Sequence, residues 1–97
     1  MAKSKLKTTR YDTAEYLQDE KDVVAYLDAA LEDGDPALIR HALSAIARAR
    51  GMSQIARDSG IARESLYKAL SESGNPEFTT VLKVVRALGL RLHARLA

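Results

Sequence analysis

The sequence predicts an all-α fold of five or six short helices, and three observations carry that reading. Apolar residues recur at spacings of three and four through most of the chain, the period of an amphipathic helix. Helix-start residues and glycine stops punctuate these runs, with Asp19, Asp35-Pro36 and Ser53 among the starts and Gly34, Gly51, Gly60 and Gly89 as the stops. The chain has 97 residues, one domain's length, with no room for a second independent core.

Residues 1–11 read as a flexible basic arm, polar and without period. Asp12 or Thr13 can cap a short helix that runs to about Leu17. Asp19 caps the next, in which Val23, Leu27, Ala30 and Leu31 recur at helical spacing before Asp33-Gly34 breaks it. Asp35 followed by Pro36 is an N-cap with proline at the first helical position, where its missing N–H costs nothing. Ile39, Leu43 and Ile46 form the buried stripe of that helix, flanked by Leu38, Ala42, Ala45 and Ala49, and Gly51 stops it. Ser53 caps a short helix that ends before Gly60, and a second short helix runs from about Arg63 to Leu70. Residues 71–76 form a loop by composition, broken at Gly74-Asn75-Pro76. Thr79 caps the last helix, in which Val81, Val84, Val85 and Leu88 face inward and Gly89 is the stop.

After Gly89 the period changes to two. Leu90, Leu92, Ala94 and Leu96 alternate with Arg91, His93 and Arg95, the pattern of a short C-terminal strand. A lone strand has no partner in its own chain, so it points to pairing with a second copy through Leu90, Leu92 and Leu96. The competing reading is a tail whose leucines cap the core, and the pattern leaves both open.

Composition narrows the function classes. With 46% apolar and 29% charged residues the chain is an ordinary soluble domain, and with no cysteine it has neither disulfides nor thiolate sites. Its apolar runs are too short for a membrane span, and none follows the basic N-terminus to make a signal peptide, so a cytoplasmic protein without membrane contact is expected. The net charge of +2 hides a strong segregation. Residues 1–10 carry Lys3, Lys5, Lys7 and Arg10 and no acid, residues 11–35 carry nine acids and one lysine, and residues 36–97 carry ten cations and four acids. Such asymmetry implies two surfaces with different partners.

The motif that carries function is Met52-Ser53-Gln54-Ile55-Ala56-Arg57-Asp58-Ser59-Gly60, followed by Ile61-Ala62-Arg63-Glu64-Ser65-Leu66-Tyr67-Lys68-Ala69-Leu70. Two short helices that meet at a wide angle need a small residue where their backbones approach, and Ala56 fits. The turn needs a residue tolerant of positive φ, which Gly60 supplies. Ile55, Ile61, Leu66 and Leu70 hold the second helix against the first. This is a helix-turn-helix. It sits in a core spanning 35–89, between acidic helices at 12–34 and the strand or tail at 90–97, within one helical domain over 12–97.

A helix-turn-helix puts the N-terminal residues of its second helix toward base edges in the major groove of double-stranded DNA. Arg63 can donate two hydrogen bonds to guanine, and Glu64 can accept from cytosine or pair with Lys68 one turn on. Ser65, Tyr67 and Lys68 complete the exposed row, although Tyr67 can equally pack on the domain body. Ser53 and Gln54, at the start of the first helix, are placed to anchor a phosphate. The N-terminal cations can track phosphates as an arm, or form an ordinary solvated tail.

From Thr13 to Leu92, more than four-fifths of the chain, the sequence resembles the small HigA-like antidote proteins of bacterial addiction modules. The resemblance rests on Ala14-Glu15-Tyr16-Leu17, Val24-Ala25-Tyr26-Leu27, Ala29-Ala30-Leu31-Glu32-Asp33-Gly34-Asp35, Ile46-Ala47-Arg48-Ala49-Arg50-Gly51 running into the motif above, Asn75-Pro76, and Val81-Leu82-Lys83-Val84-Val85-Arg86-Ala87-Leu88-Gly89-Leu90. It implies a dimeric, phage-repressor-like DNA binder that neutralises a RelE/ParE-type toxin and represses the operon encoding both. It carries DNA contact to Ser53, Gln54, Arg63, Glu64, Tyr67 and Lys68. The chain departs from the wider phage-repressor pattern in having one residue between Gln54 and Ala56 rather than three, and alanine at position 62, a poor cap. Phosphate repels the acidic segment, and toxins of that type are generally basic, so Asp19, Glu20, Asp22 and Asp28 are the expected toxin-binding acids.

An enzyme is not expected, and neither a cofactor nor a metal. His41 and His93 fall on different elements without a nucleophile or ligand cluster at useful spacing, and the acids look like helix-start charges and a solvated face. The rival readings are a stand-alone repressor, and a toxin-binding module whose helix-turn-helix is only scaffold.

Overall fold

The computed structural model describes residues 19–97, so the basic arm and the expected helix ending near Leu17 lie outside the described residues. Asp19 opens the first helix, α1 (Glu20–Asp33), by accepting a hydrogen bond from the Lys21 backbone N–H at 3.2 Å. That bond satisfies one of the amides a helix start leaves unpaired, and Glu20 and Asp22 add negative charge at the positive end of the helix dipole. Val23, Leu27 and Ala30 form its buried face. Leu31, expected on the same stripe, is 40% exposed, because one step beyond Ala30 rotates it off that face toward the exposed Val24.

Asp35 restarts the chain as predicted, accepting from the Ala37 N–H at 3.0 Å with Pro36 at the first helical position of α2 (Pro36–Arg50). Three further helices follow, α3 (Met52–Ser59), α4 (Arg63–Ala69) and α5 (Phe78–Ala87). α2 packs against α1, α3 and α5 and is the centre of the molecule. Ala42, Leu43, Ala45, Ile46 and Ala47 are all buried, a span of more than half its circumference. Three alanines in that set let neighbouring backbones approach. In the first turn the stripe runs out, leaving Ile39 half-buried and Leu38 exposed.

Two predicted caps are corrected. Met52 is drawn into the core, so α3 begins two residues early, with Gly51 as its N-cap and Ser53 inside the first turn. The chain leaves Pro76 extended through Glu77 and enters α5 at Phe78, so Thr79 is likewise inside its helix and no side chain caps that start.

The core joins Val23 and Leu27 of α1, Leu43 and Ile46 of α2, Met52 and Ile55 of α3, Leu66 and Leu70 at α4, and Val84, Val85 and Leu88 at α5. Fully burying one such leucine contributes about 2 kcal/mol. Beyond α5 the Gly89 N–H donates to the Arg86 carbonyl at 2.9 Å and the Leu90 N–H to the Val85 carbonyl at 3.1 Å, the paired bonds of a Schellman turn. That turn sends the chain back along the molecule. The expected C-terminal strand is not formed by the single chain. Among the described residues there are five α-helices and no strand, and Leu90 and Leu92 pack against the core as in the tail reading. No described helix is long and apolar enough to cross a membrane.

Candidate nucleic-acid interface

α3 and α4 pack on each other and are joined by the three residues Gly60, Ile61 and Ala62. Gly60 ends α3 in the left-handed region at φ 77°, where its N–H donates to the Ala56 carbonyl at 3.0 Å. The Ser59 hydroxyl accepts from the Ile61 N–H at 3.2 Å and donates to the Ala56 carbonyl at 3.3 Å, bracing the turn from inside. Leu66, wholly buried, and Leu70 pin α4 by one side. Every other residue of its first turn and a half faces out: Arg63, Glu64, Ser65, Tyr67 and Lys68 are all exposed.

Within that row Arg63 and Tyr67 form a unit. The guanidinium carbon of Arg63 lies 5.6 Å from the Tyr67 ring centroid, and its Nη2 donates to the Tyr67 hydroxyl at 3.5 Å. Tyr67, left between surface and core by the sequence, is 46% exposed and belongs to the surface. The stack restrains an otherwise flexible side chain, leaving its other donors free.

Gln54 is occupied. Its Nε2 donates to both carboxylate oxygens of Asp58 at 3.0 Å, and its Oε1 accepts from Nη2 of Arg57 at 2.7 Å. Ser53 is exposed beside it, in the first turn of α3. The Arg57–Gln54–Asp58 chain was missed in the sequence, where spacings of three and four were the signal for it.

Residues 7–96 match the model of a family described as probable addiction module antidote proteins. The chain belongs to that family. It is also 53% identical over 85 residues, 88% of each chain, to an uncharacterized protein of Haemophilus influenzae. No solved structure matches it. Membership of an antidote family implies a toxin as partner, and this member has a second surface distinct from α4.

That surface is on α1, which packs on α2, whereas α4 packs on α3. Asp19, Glu20, Asp22 and Asp28 are all exposed there, with Asp19 committed to capping. Val24, Asp28, Leu31 and Glu32 form one wall of an open groove whose other wall is the C-terminal segment, including Arg91 and Leu96. Leu96 is 97% exposed, while Leu90 and Leu92 are partly spent on the chain's own core. His41 and His93 are exposed on separate elements, and no described cluster of three His, Asp or Glu could hold a metal ion.

Proposed function

We propose that this antidote-family protein is the DNA-binding antitoxin of a type II toxin–antitoxin module. In this reading it neutralises a RelE/ParE-type toxin and, as a homodimer, represses the operon encoding both. The helix-turn-helix is α3 and α4, HigA-like and phage-repressor-like in type. The observation that carries the reading is the exposed row of α4, five polar residues on a short helix pinned by Leu66 and led by a restrained arginine.

In this arrangement α4 enters the major groove of double-stranded operator DNA and Arg63 reads a guanine through its O6 and N7. Glu64 and Ser65 face neighbouring base edges, while Tyr67 and Lys68 meet the strand beside them. Ser53 and the unpaired amides at the start of α3 take a phosphate. Gln54, already bonded on both ends of its amide, contributes least. The acids of α1 attract a basic toxin on the other surface, and Leu96 supplies the exposed apolar contact for a second copy, with Leu90 and Leu92 behind it.

Co-expression with the product of the adjacent gene tests the antidote role. The expected result is a co-purifying complex and relief of that protein's toxicity. A toxic neighbour that neither co-purifies nor is neutralised sinks it.

A further inference from the structure

Three residues of α2 at successive steps of four, Arg40, Ser44 and Arg48, make a straight row on its outer side, with His41 beside them. The row faces Ser71 and Glu72, just past the end of α4, across a shallow cleft floored by Leu70. Its charge is unbalanced, since two guanidiniums line it against the single carboxylate of Glu72.

Among the described residues, little of either arginine's hydrogen-bonding capacity is used. Arg40 lines the cleft, and its Nε is buried without a hydrogen-bond partner among the described residues. The Nε of Arg48 donates only to the Ser44 carbonyl, at a long 3.4 Å. The Ser71 hydroxyl donates to the Lys68 carbonyl at 2.8 Å, fixing the turn that forms the far wall. A shallow cleft lined by two guanidiniums suits a group with several anionic oxygens, and a phosphate is that group.

We infer that this cleft seats a backbone phosphate of the DNA strand flanking α4, with Arg40 and Arg48 as the donors. The inference rests on the reading that α4 enters the groove, because only then does a strand run past the end of that helix. A phosphate contact there fixes the register of α4 without reading sequence.

The test measures binding of the full chain to a duplex of its own upstream DNA and to a shuffled duplex of equal length, across a salt series. Arg40→Gln and Arg48→Gln each weaken binding to both duplexes by the same factor and leave the preference intact. Each also lowers the slope of log affinity against log salt by about 0.9. The loss of affinity between 50 and 200 mM salt therefore shrinks roughly threefold per variant. Glu72→Gln acts in the opposite direction, strengthening binding to both duplexes. Arg48 is exposed, so Arg48→Gln keeps the test open if the helical circular dichroism shows that Arg40→Gln has not folded. Unchanged affinity and slope in folded variants, with specific binding by the wild type, overturn the phosphate site alone. Absence of any preference in the wild type overturns both the site and the reading it rests on.

Discussion

Arg63 lies over the ring of Tyr67, its guanidinium carbon 5.6 Å from the ring centroid, on the exposed side of α4. The pair is one helical turn apart and holds the arginine at the start of the helix, where a base edge would stand. Replacing Arg63 by alanine is expected to cost about 1–3 kcal/mol of discrimination at one operator position, read by competition between operator variants. Tyr67→Ala, which releases the arginine, lowers affinity less and leaves the preferred base unchanged. Gln54→Ala has little effect on DNA binding, since that amide is already bonded to Arg57 and Asp58.

Gly74 approaches the end of α4 so closely that a Cβ there would fall inside the carbonyl oxygens of Lys68 and Ala69. These are backbone atoms and cannot swing aside. Gly74→Ala is therefore expected to destabilise the domain by roughly 2–3 kcal/mol, the scale of a forced overpacking, read as a lowered thermal midpoint. Gly60→Ala, strained by its positive φ but with open space around the added carbon, costs about 1 kcal/mol.

Asp19 and Asp35 each cap a helix with a single carboxylate–amide bond. Alanine at either position costs about 1 kcal/mol in denaturant unfolding. A test of the acidic surface should therefore leave Asp19 alone. Reversing Glu20, Asp22 and Asp28 to lysine lowers affinity for the cognate toxin and does not reduce affinity for operator DNA. Equal toxin affinity before and after reversal removes the acidic face from the account.

Leu96 is the exposed leucine of the C-terminal segment, whereas Leu90 and Leu92 serve the core. Leu96→Asp should shift the protein from dimer to monomer in sedimentation without lowering its thermal midpoint. A chain truncated after Gly89 that remained dimeric would place the interface elsewhere.

Most of the helical frame was legible because its signals are local. Asp35-Pro36 marks the start of α2, Gly60 the turn and Leu66 the anchor of α4, each through the chemistry of one or two residues. The misplaced caps at Ser53 and Thr79 show where local signals lose. Burial of Met52 moved one helix start, and the extended chain after Pro76 moved the other, and neither is visible in a capping preference. The period-two pattern after Gly89 left a strand and a core-capping tail both open, and the single chain takes the tail form. Its leucines alternate, but a single helical chain offers them no edge, and Leu90 and Leu92 pack against the core. At the site, the exposed residues of α4 followed from the placement of Leu66 and Leu70. The stack of Arg63 on Tyr67 needed side-chain positions. The cleft between Arg40, Arg48 and Ser71 joins elements more than twenty residues apart and had no local signature.

Whether α4 reads DNA is decided by the ratio of affinities of the purified protein for its own upstream duplex and a shuffled duplex, at 0.15 M salt. The expected preference is on the order of 10³ or more, and Arg63→Ala reduces it by roughly 5- to 150-fold. Equal affinity for the two duplexes, unchanged by that substitution, would contradict it.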